Sequence, residues 1–122
     1  MKKRTIIYFC LIFIGINQLC VAQQLNKIDS LLQVLKIEKE DTSKANTLNL
    51  LGKECYLKGN YDQSRKYSAE ALSLSQKSAF TSGIVSAYLN TGATYFYEGN
   101  YEKALKNYDA GLSWSKKENY NS

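Results

Sequence analysis

Apolar residues recur along most of this chain at steps of three and four, and polar clusters interrupt them at regular intervals. Leu25, Ile28, Leu31, Leu32 and Leu35 make one such stripe and predict a first helix over 25–37. The run E-K-E-D-T-S-K (38–44) breaks it. Asp41, Thr42 or Ser43 is placed to cap the next helix by accepting from its free N–H groups. A second helix is expected over 43–58, ended by Gly59, because glycine takes the left-handed conformation without a steric penalty. A third starts near Tyr61 and runs to about Lys77. S-A-F-T-S-G (78–83) reads as a flexible break, and a fourth helix over 84–98 stops at Gly99. The fifth starts near Tyr101, carries Tyr101, Ala104, Leu105, Tyr108 and Leu112 on one stripe, and is expected to fray over the polar residues 116–122. The chain has no proline, so nothing in it stops a helix by ring chemistry.

The start of the chain follows a different pattern. Three positive charges stand in Met1 to Arg4, Ile6 to Ile16 is almost purely apolar, and C-V-A (20–22) places small residues at its first and third positions. A charged start, a short apolar core and a small-x-small end read as a secretory signal peptide cleaved near Ala22. The run falls short of the ~20 apolar residues that span a bilayer. Gln18 and Leu19 are not the small residues that precede the cysteine of a lipid-anchor signal. Export to a periplasmic or extracellular compartment follows as an expectation, with retention of the segment as an anchor the alternative. The expected organisation is a signal peptide over 1–22, a leading helix over 23–40, two similar units over 41–83 and 84–117, and a tail over 118–122.

The two units repeat each other. G-N-Y-D (59–62) returns as G-N-Y-E (99–102), and aligning 45–82 with 85–122 gives ten identities in 38 positions. Each copy reads as the tight turn of a helical hairpin. Gly ends one helix, Asn starts the turn or caps the next helix, and Tyr packs back between the two. Asp62 or Glu102 meets the positive end of the second helix's dipole. Self-similarity at this period points to a helical solenoid, in which hairpins stack because one alone cannot bury its apolar face.

The second unit resembles a tetratricopeptide repeat, whose pattern is W-x2-L-G-x2-Y followed by Ala and an aromatic four residues later. Tyr88, Thr91, Gly92 and Tyr95 stand in the first part, Ala104 and Tyr108 in the second. In the first unit Leu48, Leu51 and Gly52 match, while Cys55 replaces the aromatic, and Ser64 and Ser68 replace the alanine and its partner. The proline expected after the second helix is replaced near Gln76 and Lys116, and the period is stretched to forty, as in an exported bacterial type. Gly52, Gly59, Tyr61, Gly92, Tyr95, Gly99, Tyr101, Ala104 and Tyr108 are the repeat-defining packing positions. The resemblance implies an all-α, right-handed solenoid of two hairpins behind a leading helix. It also implies a groove lined by the first helix of each hairpin. Asn46, Asn49, Lys53 and Tyr56 would face that groove from the second helix, and Ser86, Leu89, Ala93, Phe96 and Tyr97 from the fourth. Asparagines and a lysine suit a peptide backbone or a carboxylate, and the aromatics suit an apolar side chain. Only Lys53, Asn49 and Asn90 resemble the family's carboxylate clamp. The other reading of these residues is a solvated face, or one covered by another helix.

Composition narrows the function. With the three basic residues of the signal removed, the net charge of +5 falls to +2, and the lysines are scattered. A nucleic-acid surface is therefore not expected, and the ten tyrosines read as packing rather than base-stacking residues. There is no histidine, which removes Ser-His and Cys-His catalysis and the commonest zinc ligand. Cys55 is the only thiol outside the signal and reads as a small buried hydrophobe. Glu38, Glu40 and Asp41 lie in a polar break and read as solvated. No nucleophile elbow, zinc-protease motif or phosphate loop is present. No enzyme activity, cofactor or metal is expected. Two functions stand: an exported, non-enzymatic protein–protein interaction module, and the N-terminal sensor part of a bacterial signal-transduction regulator whose kinase or DNA-binding output lies elsewhere. Leu112 and Trp114 stand at an uncapped end, which points to self-association or to a borrowed helix.

Overall fold

Every described stretch of regular structure in the computed structural model is helical: α1 (Lys2–Ile37), α2 (Thr42–Leu57), α3 (Tyr61–Lys77), α4 (Thr81–Tyr97) and α5 (Tyr101–Asn121). The structure describes the backbone of residues 2–121 and the side chains of 2–13 and 27–119. Contacts divide the chain into two units, 1–30 and 31–122. In the first unit, α1 is helical from Lys2 onward, well before the predicted start at Leu25. Ile6, Ile7, Tyr8, Phe9, Leu11, Ile12 and Phe13 are all exposed. The expected cleavage point at Ala22, and Cys20 before it, lie outside the described side chains.

In the second unit α2 pairs with α3 and α4 with α5, while α3 and α2 both pack on α4. This is an all-α helical-repeat solenoid of two hairpins. Asp41 caps α2, its carboxylate accepting from Ser43 N–H at 2.9 Å and Lys44 N–H at 3.4 Å. The two glycine turns are near copies. Gly59 and Gly99 have φ of 80° and 81°. Asn60 N–H donates to the Cys55 carbonyl and Asn100 N–H to the Tyr95 carbonyl, both at 2.9 Å. These bonds satisfy carbonyls that a helix end leaves free, and the αL residue between them suits glycine. The asparagines differ: Asn100 Oδ1 accepts from Lys103 N–H at 3.2 Å, whereas Asn60 makes no side-chain cap bond.

The third turn corrects the sequence reading. The predicted break over 78–83 is only three residues long, and α4 starts at Thr81, so Gly83 lies inside the helix. Its role is space: a Cβ there would stand 2.3 Å from Ser75 Oγ and 2.4 Å from the Phe80 ring. The left-handed residue is Ala79, with φ of 49°. At the other end, α5 keeps its helical backbone through Asn121, past Lys116, where fraying was expected. Lysine and glutamate are good helix formers, and polarity alone does not end a helix.

The core sits where the two hairpins meet. Ala45 and Leu48 of α2, Ala71 and Leu74 of α3 and Ala87 of α4 are buried together, with Leu35, Tyr67, Leu72 and Phe80 packed around them. Small residues let the helices approach. A Cβ on Gly52 would meet Ser68 Oγ at 2.6 Å, and one on Gly92 would meet the Tyr108 ring at 2.7 Å and the Ala104 carbonyl at 3.2 Å. Gly52 and Gly92 thus occupy equivalent close approaches, one against a serine and one against a tyrosine. Cys55 is buried as expected, and burial pushes its thiol pKa up. Tyr61 is half-buried, but Tyr101 is 65% exposed, so the second tyrosine of the repeated turn does not pack between its two helices. Its ring meets the edge of Phe96, at 5.5 Å between centroids.

Candidate functional site

Helices α2 and α4 lie side by side, and their shared outer face has two unlike ends. At one end Asn46, Asn49, Leu50 and Lys53 of α2 and Ser86 and Asn90 of α4 line a recess of about 300 Å³. At the other, next to the glycine turns, Tyr56 stacks on Tyr97 with centroids 5.6 Å apart and planes at 22°. Phe96 adds an edge contact to Tyr97 at 5.9 Å. Leu57, Phe96 and Tyr97 are each about half exposed. Helical spacing produces this division. Asn46, Leu50 and Lys53 recur at four and three, as do Leu89, Ala93 and Phe96, so each set holds one face.

The two ends are held by different chemistry. Asn49 is buried, and its amide donates to the Gly83 carbonyl at 3.0 Å. The Asn90 amide donates to the Asn49 backbone carbonyl at 2.8 Å. Asn49 therefore ties hairpin to hairpin: it lines the floor of the recess, with its amide already engaged by the Gly83 carbonyl. Asn46 and Lys53 are exposed, Ser86, Ala93 and Tyr56 are half-buried, and Leu89 is nearly half exposed. Burial, then the neighbouring Tyr97, pushes the Tyr56 hydroxyl pKa up. The floor is firm for a polar reason as well. Ser64 Oγ, fully buried, lies 2.8 Å from the Gly52 carbonyl and 2.7 Å from Thr94 Oγ1, which lies 2.8 Å from the Asn90 carbonyl. Each hydroxyl has one proton: Ser64 donates to the Gly52 carbonyl, and the Thr94 proton is shared between the Asn90 carbonyl and Ser64 Oγ, so the close Ser64–Thr94 contact joins the hairpins through buried oxygens.

Tyr95 does not join the groove. Arg65 and Lys103 lie near its ring at 5.5 Å and 5.3 Å from the centroid. Arg65 pairs with Glu98 of the next hairpin and with Asp62 of its own, and the Glu98 contact foremost holds its pKa up. Tyr61 Oη lies 3.5 Å from the Tyr97 carbonyl. Ala104 is buried and Tyr108 half-buried against Gly92, as the repeat pattern implies.

Two features escaped the sequence reading. Leu50 lines the recess; its place one turn from both Asn46 and Lys53 was the available signal. The Ser64–Thr94 link was hidden because Ser64 reads only as a departure from the family's alanine. Chemically, the face can offer amide and ammonium donors at one end and aromatic surface at the other. Among the described residues no cluster of His, Cys, Asp or Glu could hold a metal ion.

No curated protein and no solved structure matches the chain. The family model described as tetratricopeptide repeat matches residues 43–117, which is both hairpins from the first turn of α2 to the last third of α5. That match covers more than half of the chain, and with the paired glycine turns and the close approaches at Gly52 and Gly92 it makes this chain a member of the tetratricopeptide repeat family.

Proposed function

We propose that this protein is an exported, non-enzymatic interaction module that takes an extended peptide or protein segment on the α2–α4 face. Members of its family generally mediate protein–protein interaction. The observation that carries the reading is the two-ended face: a recess of about 300 Å³ with Lys53 beside it, and half-exposed Phe96 and Tyr97 beyond. A segment pairing an apolar side chain with an acidic or carboxamide group fits both ends. The test is capture from an extract of the source's exported proteins, comparing the wild-type chain with Lys53→Ala/Phe96→Ala. Both side chains are exposed, so the variant keeps its fold and loses its partners. An unchanged captured set places binding elsewhere.

Export rests on the exposed apolar run of α1 behind three positive charges. Among the described residues no helix is long and apolar enough to cross a membrane. Mass spectrometry of the protein recovered from cells should find a start at Gln23; a start at Met1 counts against cleavage. The sensor reading, in which this chain is the input part of a longer regulator, is decided by reading the frame downstream of the Ser122 codon. Self-association through the second hairpin is a separate interaction that does not use the α2–α4 face.

A further inference from the structure

The outer face of α5 carries Tyr101, Leu105 and Leu112 at 65%, 61% and 53% exposure. The spacing of four and seven residues places all three on one stripe of about three turns. The same register on α3 holds Tyr61, Arg65 and Leu72, and that face is covered by α4, with Arg65 paired to Glu98. Leucine stands in α5 where arginine stands in α3. A helix resembling α4 would set the counterpart of Glu98, the residue that caps its C-terminus, against Leu105, so it is a poor cover for this face.

We propose that this face pairs with the same face of a second copy, α5 against α5, antiparallel about a two-fold axis passing between Tyr108 and Asp109. The inference rests on the self-association reading above and supplies its surface and geometry. In a two-fold contact residue i meets j and j meets i. The register that centres the axis there sets Leu105 on Leu112 of the mate, twice. It also brings Glu102 beside Lys116 of the mate, and sets the two Asp109 side chains together at the axis, their repulsion offset by a Lys106 of the mate within one turn of each. These charges follow from helix direction. Glu102, Lys106 and Asp109 lie along one edge of the stripe, and antiparallel helices bring like edges together. Parallel helices would set that edge against the one carrying Ala104, Gly111 and Ser115, which offers no charge. Two Glu102–Lys116 pairs and two Asp109–Lys106 pairs therefore form only in the antiparallel arrangement, against one Asp109–Asp109 contact at the axis. The contact runs over about 16 residues, or ~24 Å of helix. A strip of that length buries on the order of 1,000–1,200 Å² in total, at the lower edge of specific interfaces. Interfaces at this edge are typically weak and transient, so the association should depend on concentration.

The experiment uses the full chain with Cys10 and Cys20 replaced by Ser; Cys55 is buried. Sedimentation velocity across the micromolar range should show a concentration-dependent dimer. Leu105→Glu should weaken it at least about 100-fold, because two charges enter the centre of the contact. Glu102→Lys should weaken it about 2- to 10-fold, and Glu102→Lys/Lys116→Glu should restore it. Asp109→Cys, near the axis, should form a disulfide dimer on mild oxidation, whereas Lys53→Cys, on another helix, should not. A wild-type chain that stays monomeric throughout overturns self-association altogether. A wild-type dimer indifferent to Leu105→Glu, or one in which the double charge reversal fails to restore, leaves self-association standing and overturns the α5 pairing.

Discussion

Removing a single hydroxyl should stabilise this protein and change the response of a residue on another helix. Ser68 is fully buried, and its Oγ has no hydrogen-bond partner among the described residues. Burying a hydroxyl without a partner costs about 1–3 kcal/mol judged from mutational data. Ser68→Ala removes that cost and forfeits only a few dispersion contacts of ~0.1–0.2 kcal/mol each. A net gain of about 1 kcal/mol follows, which raises Tm by roughly 4–8 °C for a domain of this size. The same oxygen is what a Cβ on Gly52 would strike, at 2.6 Å; the next neighbours, Ser64 O and Ser68 N, stand at ordinary contact distances of 3.4 Å and 3.6 Å. Gly52→Ala alone must displace the oxygen, an overpacking cost of about 1–3 kcal/mol that exceeds the ~0.5–1 kcal/mol gained by replacing a helical glycine. In the Ser68→Ala background the obstacle is gone and only the gain remains. The double-mutant cycle should therefore show a favourable coupling of about 1–3 kcal/mol. Urea unfolding of the four proteins, followed by helical circular dichroism, measures each term. If Ser68→Ala lowers the midpoint, or Gly52→Ala costs the same in both backgrounds, the argument fails.

Three further outcomes are expected. Ala79→Gly should stabilise by about 1 kcal/mol, because φ of 49° costs alanine what it does not cost glycine; a lower Tm would refute it. Asn49→Ala should destabilise by about 1–2 kcal/mol through loss of the buried bond to the Gly83 carbonyl, a cost that a surface asparagine would not show. Burial holds the Cys55 thiol and the Tyr56, Tyr67 and Tyr108 hydroxyls above their ordinary values of 9.0 and 10.0. The unfolded chain then loses these protons first, so their contribution to stability is complete below about pH 9 and drains away as pH rises through 9 and then 10. Melts that stay level from about pH 8 to about pH 11 would contradict this.

Much of the fold was legible because the hairpins are specified locally. Gly59 and Gly99 announce their turns by residue type, and the apolar steps of α2 to α5 leave little choice of helical face. The α3–α4 turn was misplaced for an equally physical reason. Gly83 looked like a breaker but serves as room for Phe80 and Ser75, while the left-handed residue there is an alanine that no propensity would nominate. The candidate face was legible as a pair of stripes, though not in its division of labour. Whether Asn49 faces a ligand or a neighbouring carbonyl depends on the distance between α2 and α4, and spacing along one helix does not contain that distance. Leu50 and the hydroxyl relay through Ser64 have the same origin.

Trp114, half-buried beside Gln76, Ala79, Thr81 and Ile84, is the only indole in the chain. It belongs to α5 of the second hairpin, whereas helical circular dichroism sums over every helix, α1 included. Its fluorescence therefore reports the packing of α5 where the second hairpin meets the end of α3 and the α3–α4 turn. In a quasi-one-dimensional array, nearest-neighbour terms decide whether the parts melt as one. Here those terms include the Asn49–Gly83 bond, the Ser64–Thr94 contact and the Arg65–Glu98 pair. The protein thus carries a built-in optical gauge of communication between its halves. Coincident fluorescence and dichroism transitions mean that these few bonds fuse the array into one cooperative unit, and any lag between them measures how loosely the halves are joined.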